Sequence, residues 1–130
     1  MKGLLLDSHV LIWWFIDSPR LPATLRERIL HTEEPVFVSA VTAWELATKH
    51  RIGKLPEVSA LVAGFGGHVQ SQGFVALPIS AEHALAAGAL DIAHRDPFDR
   101  MLIAQAMMEN LVLVSNEQIF DGFGVDHLWD

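Results

Sequence analysis

Four short apolar runs, at residues 3–6, 36–38, 74–77 and 111–114, are spaced along the chain with helix-patterned stretches between them. Each is too brief to be a helix, and a polar residue or proline stops it: Asp7, Ser39, Pro78 and Ser115. Unbroken apolar runs of this length read as strands covered on both faces, and strands alternating with helices mark a parallel sheet. The expected fold is therefore α/β, a central, mostly parallel sheet flanked by helices in a three-layer sandwich. A chain of 130 residues makes one domain of this kind, spanning 1–130.

The stretches between the strands carry boundary signals of their own. Residues 10–16 read as a helix capped by Ser8 or Asp7, and Pro19 and Pro22 punctuate before a second helix over 23–31, with Leu25, Ile29 and Leu30 on its apolar side. Ser39 caps a helix running to about Ile52, with Gly53 as its stop. Residues 57–72 read as helical despite Gly64, Gly66 and Gly67, which form no phosphate loop because no strand precedes them and the fingerprint spacing is missing. Ser80 caps an alanine-rich helix over 81–90. The next helix opens with Asp96 as cap, Pro97 in the first helical position and Asp99 three residues past the cap. A helical turn over 117–120 and a last short strand within 125–129 complete the chain.

Hydrophobic residues make up 51% of the sequence and charged ones 19%, which excludes a disordered chain. The apolar run Trp13-Trp14-Phe15-Ile16 is cut by Asp17, and Asp7 interrupts the only early one, so neither a membrane span nor a signal peptide is expected. With no cysteine, disulfides and thiolate zinc sites are excluded, and a cytoplasmic setting is the expectation. Nine Lys and Arg against sixteen Asp and Glu give a net charge of −7, which counts against nucleic-acid binding. Two bound divalent cations would bring −7 to −3 and reverse the local field.

The positions of the acids give that argument weight. In open parallel sheets ligands bind beyond the carboxyl ends of the strands. Asp7 follows the first strand, Glu45 lies about two turns into the helix after the second, Asp96 and Asp99 open the helix before the fourth, and Ser115 and Glu117 follow the fourth. Singly, each has a plain structural explanation: Asp7 and Asp96 as caps, Glu45 as an i, i+4 partner of Lys49, Glu117 as a solvated turn residue. Together at one edge they repel, and hard cations relieve such crowding. Oxygen-only ligands favour Mg²⁺ or Mn²⁺, and the natural chemistry is phosphodiester hydrolysis.

The segments Leu4-Leu5-Leu6-Asp7-Ser8-His9-Val10-Leu11-Ile12-Trp13, Ser39-Ala40-Val41-Thr42-Ala43-Trp44-Glu45 and His94-Arg95-Asp96-Pro97-Phe98-Asp99-Arg100-Met101-Leu102-Ile103-Ala104-Gln105-Ala106 resemble, in that order, the PIN-domain family. The likeness extends to Leu113-Val114-Ser115-Asn116-Glu117 and Phe120-Asp121-Gly122-Phe123-Gly124-Val125, and it is strongest toward VapC-type toxins of bacterial toxin–antitoxin pairs. The resemblance implies metal-binding, catalytic acids at Asp7, Glu45, Asp99 and Glu117, with Asp96 and Ser115 as secondary candidates. The fourth position departs from the family, which more often has Asp there; the longer Glu117 bears on the fourth ligand and the second metal. The implied activity is that of a Mg²⁺-dependent endoribonuclease, homodimeric and silenced by a cognate antitoxin.

Arg100, Lys49 and Arg51 are candidate RNA contacts, each with a structural alternative: Arg100 pairing with Asp96, and Lys49-His50-Arg51 with Lys54 serving a helix C-terminus. His9 and His94 flank the site without paired-histidine metal spacing and read as hydrogen-bonding or core residues. Trp13, Trp14, Phe15 and Trp44 read as core, with one or two lining a groove for an antitoxin segment or dimer partner. Two other functions fit the same sheet. One is a phosphatase with Asp7 as nucleophile, although such enzymes favour an Asp two residues on, where this chain has His9. The other is a non-catalytic RNA- or protein-binding module, against which the retained acids argue.

Overall fold

The computed structural model describes residues 2–129, the side chain of Ile119 excepted. Five strands form the sheet: β1 (Leu4–Leu6), β2 (Val36–Ser39), β3 (Val75–Leu77), β4 (Val112–Val114) and β5 (His127–Leu128). Among the described residues seven helices surround it: α1 (Ser8–Phe15), α2 (Ala23–His31), α3 (Ala40–Arg51), α4 (Ser59–Ala63), α5 (Phe65–Ser71), α6 (Ala81–Ala89) and α7 (Pro97–Met108). The spatial order is β3-β2-β1-β4-β5, and every pairing is parallel, so the sheet is more uniform than expected. Leu4 registers with Val36 on one side and Val112 on the other. The chain builds outward from β1 to β3, then crosses back to add β4 on the far side of β1. That reversal between β1 and β4 opens a crevice beyond their carboxyl ends, where open α/β sheets bind ligands.

Side chains alternate across the sheet with period two and fill two cores. Leu4, Leu6, Val36, Val38 and Val114 pack against Val10, Leu25, Leu46, Leu61 and Val69 of α1–α5. Leu5 and Leu113 point the other way, onto Leu102, Ile103 and Ala106 of α7 and onto Phe120. Helix α3 ends at the predicted place. Gly53 adopts φ +78°, its N–H donates to the His50 carbonyl (3.0 Å), and the Lys54 N–H donates to the Lys49 carbonyl (2.9 Å). This is the Schellman closure, which glycine allows without strain.

Three expectations are corrected. The stretch 57–72 is not one helix: after a 3₁₀ turn (Pro56–Val58), α4 and α5 are separated at Gly64, whose φ −131° and ψ 38° leave the helical region. His68 lies over Gly64, and its Nε2–H donates to the Ala60 carbonyl at 3.1 Å, bracing the bend. Leu30 is 59% exposed, because successive helical residues turn by about 100° and Ile29 already occupies the inward direction. Trp44 is 58% exposed rather than core and meets Phe98 edge-on, with ring centroids 4.8 Å apart.

Arg100 does not pair with Asp96; its guanidinium is taken up by main-chain carbonyls. Its Nε donates to the Ala87 carbonyl (3.0 Å), Nη1 to those of His94 (2.9 Å) and Ile92 (3.3 Å), and Nη2 to those of Leu90 (2.7 Å) and Gly88 (3.2 Å). The guanidinium thus clasps the end of α6 and the segment 90–94 onto α7. The planar fork suits this; an ammonium cannot reach five acceptors at once. Arg100→Met is expected to lower stability by at least about 2 kcal/mol, the worth of one or two bonds to a charged donor. Arg100→Lys should recover less than half of that, read from urea-denaturation midpoints.

Candidate active site

Asp7 is the best-anchored acid of the group. It is 2% exposed at the carboxyl end of β1, and its N–H donates to the Val114 carbonyl at 2.9 Å. It caps α1: Oδ1 accepts the Ser8 N–H at 2.7 Å, while Oδ2 accepts the Ser115 Oγ–H at 2.7 Å. Ser115, fully buried at the end of β4, also accepts the Glu117 N–H at 3.0 Å, so one hydroxyl links two acids across the crevice. Its own carbonyl accepts from His127 Nε2–H at 2.6 Å, and Nδ1 of that ring faces Asp121 Oδ1 at 2.7 Å. The sequence offered no sign of this support, because His127 lies in the last strand, far along the chain from any acid.

The other acids arrive on helices. Ser39 caps α3, accepting the Val41 N–H at 3.0 Å and donating to Gln105 Oε1 at 2.6 Å, which ties α3 to α7. Two turns in, Glu45 is 4% exposed; its Oε2 pairs with Lys49 Nζ at 2.5 Å, whereas Oε1 has no hydrogen-bond partner among the described residues. Asp96 Oδ1 caps α7, accepting the N–H groups of Phe98 (2.9 Å) and Asp99 (3.1 Å). Asp99 Oδ2 accepts His94 Nε2–H at 2.8 Å. The capping roles of Asp7 and Asp96 and the Glu45–Lys49 pair therefore coexist with the convergence of the acids.

The acids also act on one another through their charges. Burial pushes the Asp99 carboxyl up to about 6; the His94 bond opposes this, and the charges of Asp96, Glu117 and Asp7 add to it. Glu117 is also raised, by burial and then by Asp7, with His9 opposing and Asp96 and Glu45 adding. Burial lowers the Lys49 ammonium, but its bond to Glu45 and the charges of Glu45, Asp96 and Asp7 outweigh that and raise it. Five carboxylates thus share one field at the switch point of the sheet. Lys49 sits inside that field, Arg51 is exposed in the last turn of α3, and Arg100 is turned away toward its carbonyls. Asp7, His9 and Glu117 also offer ligand atoms within 4.8 Å of one another.

These residues fit a divalent cation. Buried oxygens without partners are costly, and among the described residues both Glu45 Oε1 and Thr42 Oγ1, one helical turn apart, are of that kind. Oxygen donors of this hardness suit Mg²⁺ or Mn²⁺.

A family-wide sequence profile described as PIN domain matches residues 4–125. The chain belongs to the PIN-domain family. This PIN domain is 31% identical over 122 residues to Ribonuclease VapC22 of Mycobacterium tuberculosis (strain ATCC 25618 / H37Rv), which covers 91% of this chain and 89% of that protein. Among solved structures it is similar to VapBC2 from Rickettsia felis bound to a promoter DNA fragment, with TM-score 0.73, 15% identity and 98% of both chains covered. It is also similar to DNA-bound VapBC from Salmonella typhimurium, with TM-score 0.71, 24% identity, and 99% of this chain and 98% of that one covered. At these identities the solved structures establish the fold.

The raised Asp99 in this PIN domain has a defined sign. Its folded pKa of about 6 exceeds an unfolded value of about 4. Without metal, the ionised form is therefore disfavoured in the fold, and stability falls as pH rises from about 4 to about 6. Asp99→Asn should remove that decline, leaving the protein in EDTA at least as stable at pH 7 as the parent. Asp96→Ala should instead cost ~0.5–2 kcal/mol, the loss of a cap. Thermal melts across pH in EDTA measure both, and a lower-melting Asp99→Asn would make Asp99 scaffold.

Proposed function

We propose that this PIN domain is a divalent-cation-dependent endoribonuclease, the toxin of a toxin–antitoxin pair. The observation that carries the reading is the convergence at the β1–β4 switch point of acids with raised pKa values beside a buried Glu45 oxygen that has no partner. Relatedness to a protein named a ribonuclease supplies the substrate class. Asp7, Glu45, Asp99 and Glu117 would hold the cation. When bound, Mg²⁺ or Mn²⁺ supplies a water of lowered pKa and stabilises the charge on the leaving oxygen of a phosphodiester.

The remaining residues orient and shield this set. The Ser115 hydroxyl fixes Asp7 and Glu117 relative to each other, and His94 holds the rotamer of Asp99. Lys49 keeps the buried Glu45 from standing as an isolated charge, and its remaining donors, with Arg51, meet RNA phosphates at the rim. Arg100 acts through the path of segment 90–94, which delivers His94 to Asp99. The phosphatase alternative calls for a second Asp two residues after Asp7, and this chain has His9 there. A cognate antitoxin is the proposed protein partner, since the solved neighbours include VapBC complexes; a second copy of this chain is proposed from the family resemblance alone. No helix among the described residues is long and apolar enough to cross a membrane.

Purified, antitoxin-free protein is expected to cut RNA with Mg²⁺ or Mn²⁺ and to stop in EDTA. Asp7→Asn should fall to background, and Ser115→Ala, which removes an outer partner of the ligands, should lose about 10–100-fold. Cleavage mapping of total RNA reads these outcomes, and equal cutting in EDTA overturns the mechanism.

A further inference from the structure

His9 has an imidazole with no assigned work. It lies in the first turn of α1, two residues after Asp7, so the cap that starts the helix also sets this side chain at the crevice. Its Nδ1 is 3.9 Å from Glu117 Oε1, too far for a hydrogen bond. Trp13, one turn on, backs the ring with centroids 5.7 Å apart and planes tilted by 32°, which limits the directions the ring can take. The side chain is 39% exposed, so the remaining approach is from solvent. Asp7, His9 and Glu117 each place one ligand atom within 4.8 Å of the other two, a spread that small side-chain rotations can close around one ion. A second observation also points to a cation: Glu45 Oε1 is buried without a partner, and the Glu45 charge acts on Glu117.

We propose that His9 is a metal ligand, completing with Asp7 and Glu117 a mixed nitrogen–oxygen position that prefers Mn²⁺ over Mg²⁺. This rests on the reading of the acids as a metal site and specifies which ion it selects. Mg²⁺ demands oxygen donors and gives up its waters reluctantly, whereas imidazole suits first-row transition ions. The extra methylene of Glu117 belongs to the same arrangement, because it lets a carboxylate held behind β4 reach toward a residue on α1. A pair in which protonated His9 merely neutralises Glu117 would have the same apo geometry, but it would put no nitrogen on the metal.

Electron paramagnetic resonance of Mn²⁺ titrated into the folded chain separates the two. Spin-echo modulation from ¹⁴N should be present in the parent protein and absent in His9→Gln. That variant should weaken Mn²⁺ binding by about tenfold or more, no less than the loss of an outer partner costs. Mg²⁺ binding, which draws on oxygen, should stay within about threefold. His9→Asp, offering an oxygen, should lack the nitrogen signal and bind Mg²⁺ more tightly than His9→Gln, which tests the position with a second side chain. Nitrogen coupling that survives in His9→Gln overturns the proposal. So does Mn²⁺ bound without nitrogen coupling and lost in Asp7→Asn, an outcome that leaves the metal site itself standing. Failure to bind Mn²⁺ at all, or binding indifferent to Asp7→Asn, overturns the metal-site reading and this inference with it.

Discussion

A charge buried at the end of the central strand sets the terms for everything around it. Asp7 sits where β1 stops between two parallel neighbours, almost without access to water. A carboxylate there is tolerable only because the start of α1 and the hydroxyl of Ser115 each supply a hydrogen bond. Those donors fix the departure of α1 from β1 and the turn after β4. The crevice between the strands is thus held open by polar contacts while apolar side chains close both faces of the sheet behind it. The acid cluster and the fold meet in one side chain.

Around Asp7 the protein accumulates like charge faster than it compensates it. Lys49 relieves Glu45, His94 relieves Asp99, and no described side chain relieves Glu45 Oε1. The fold carries this frustration because the two apolar cores lie behind it and the acids enter on separate, well-capped elements. A local conflict in an otherwise consistent structure is characteristic of functional sites.

Much of this was legible in the sequence, for reasons that can be named. Strands buried on both faces leave unbroken apolar runs, so β1, β2 and β4 could be read directly; β3 carries the same run although Val75 and Ala76 are exposed at the sheet edge, and the edge rule for parallel sheets pointed to the acids. The limits were equally physical. One helical face looks like another until its neighbours are known, so Trp44 and Leu30 were misplaced. The five carbonyls that Arg100 collects have no signature in residue types, because backbone oxygens are the same in every residue. His127 supports Ser115 across the sheet, where no spacing along the chain announces it. Sequence shows which groups are present along an element; the contacts across elements decide their use.

The Arg100 clasp governs how this region can vary. The segment from Leu90 to His94 is held through its main-chain oxygens, while Asp91, Ala93 and Arg95 face outward. A loop fixed by its backbone has its path decided and its side chains left open. Beside the cluster of acids, those exposed positions form an interchangeable rim, whose side chains can change without disturbing the contacts underneath.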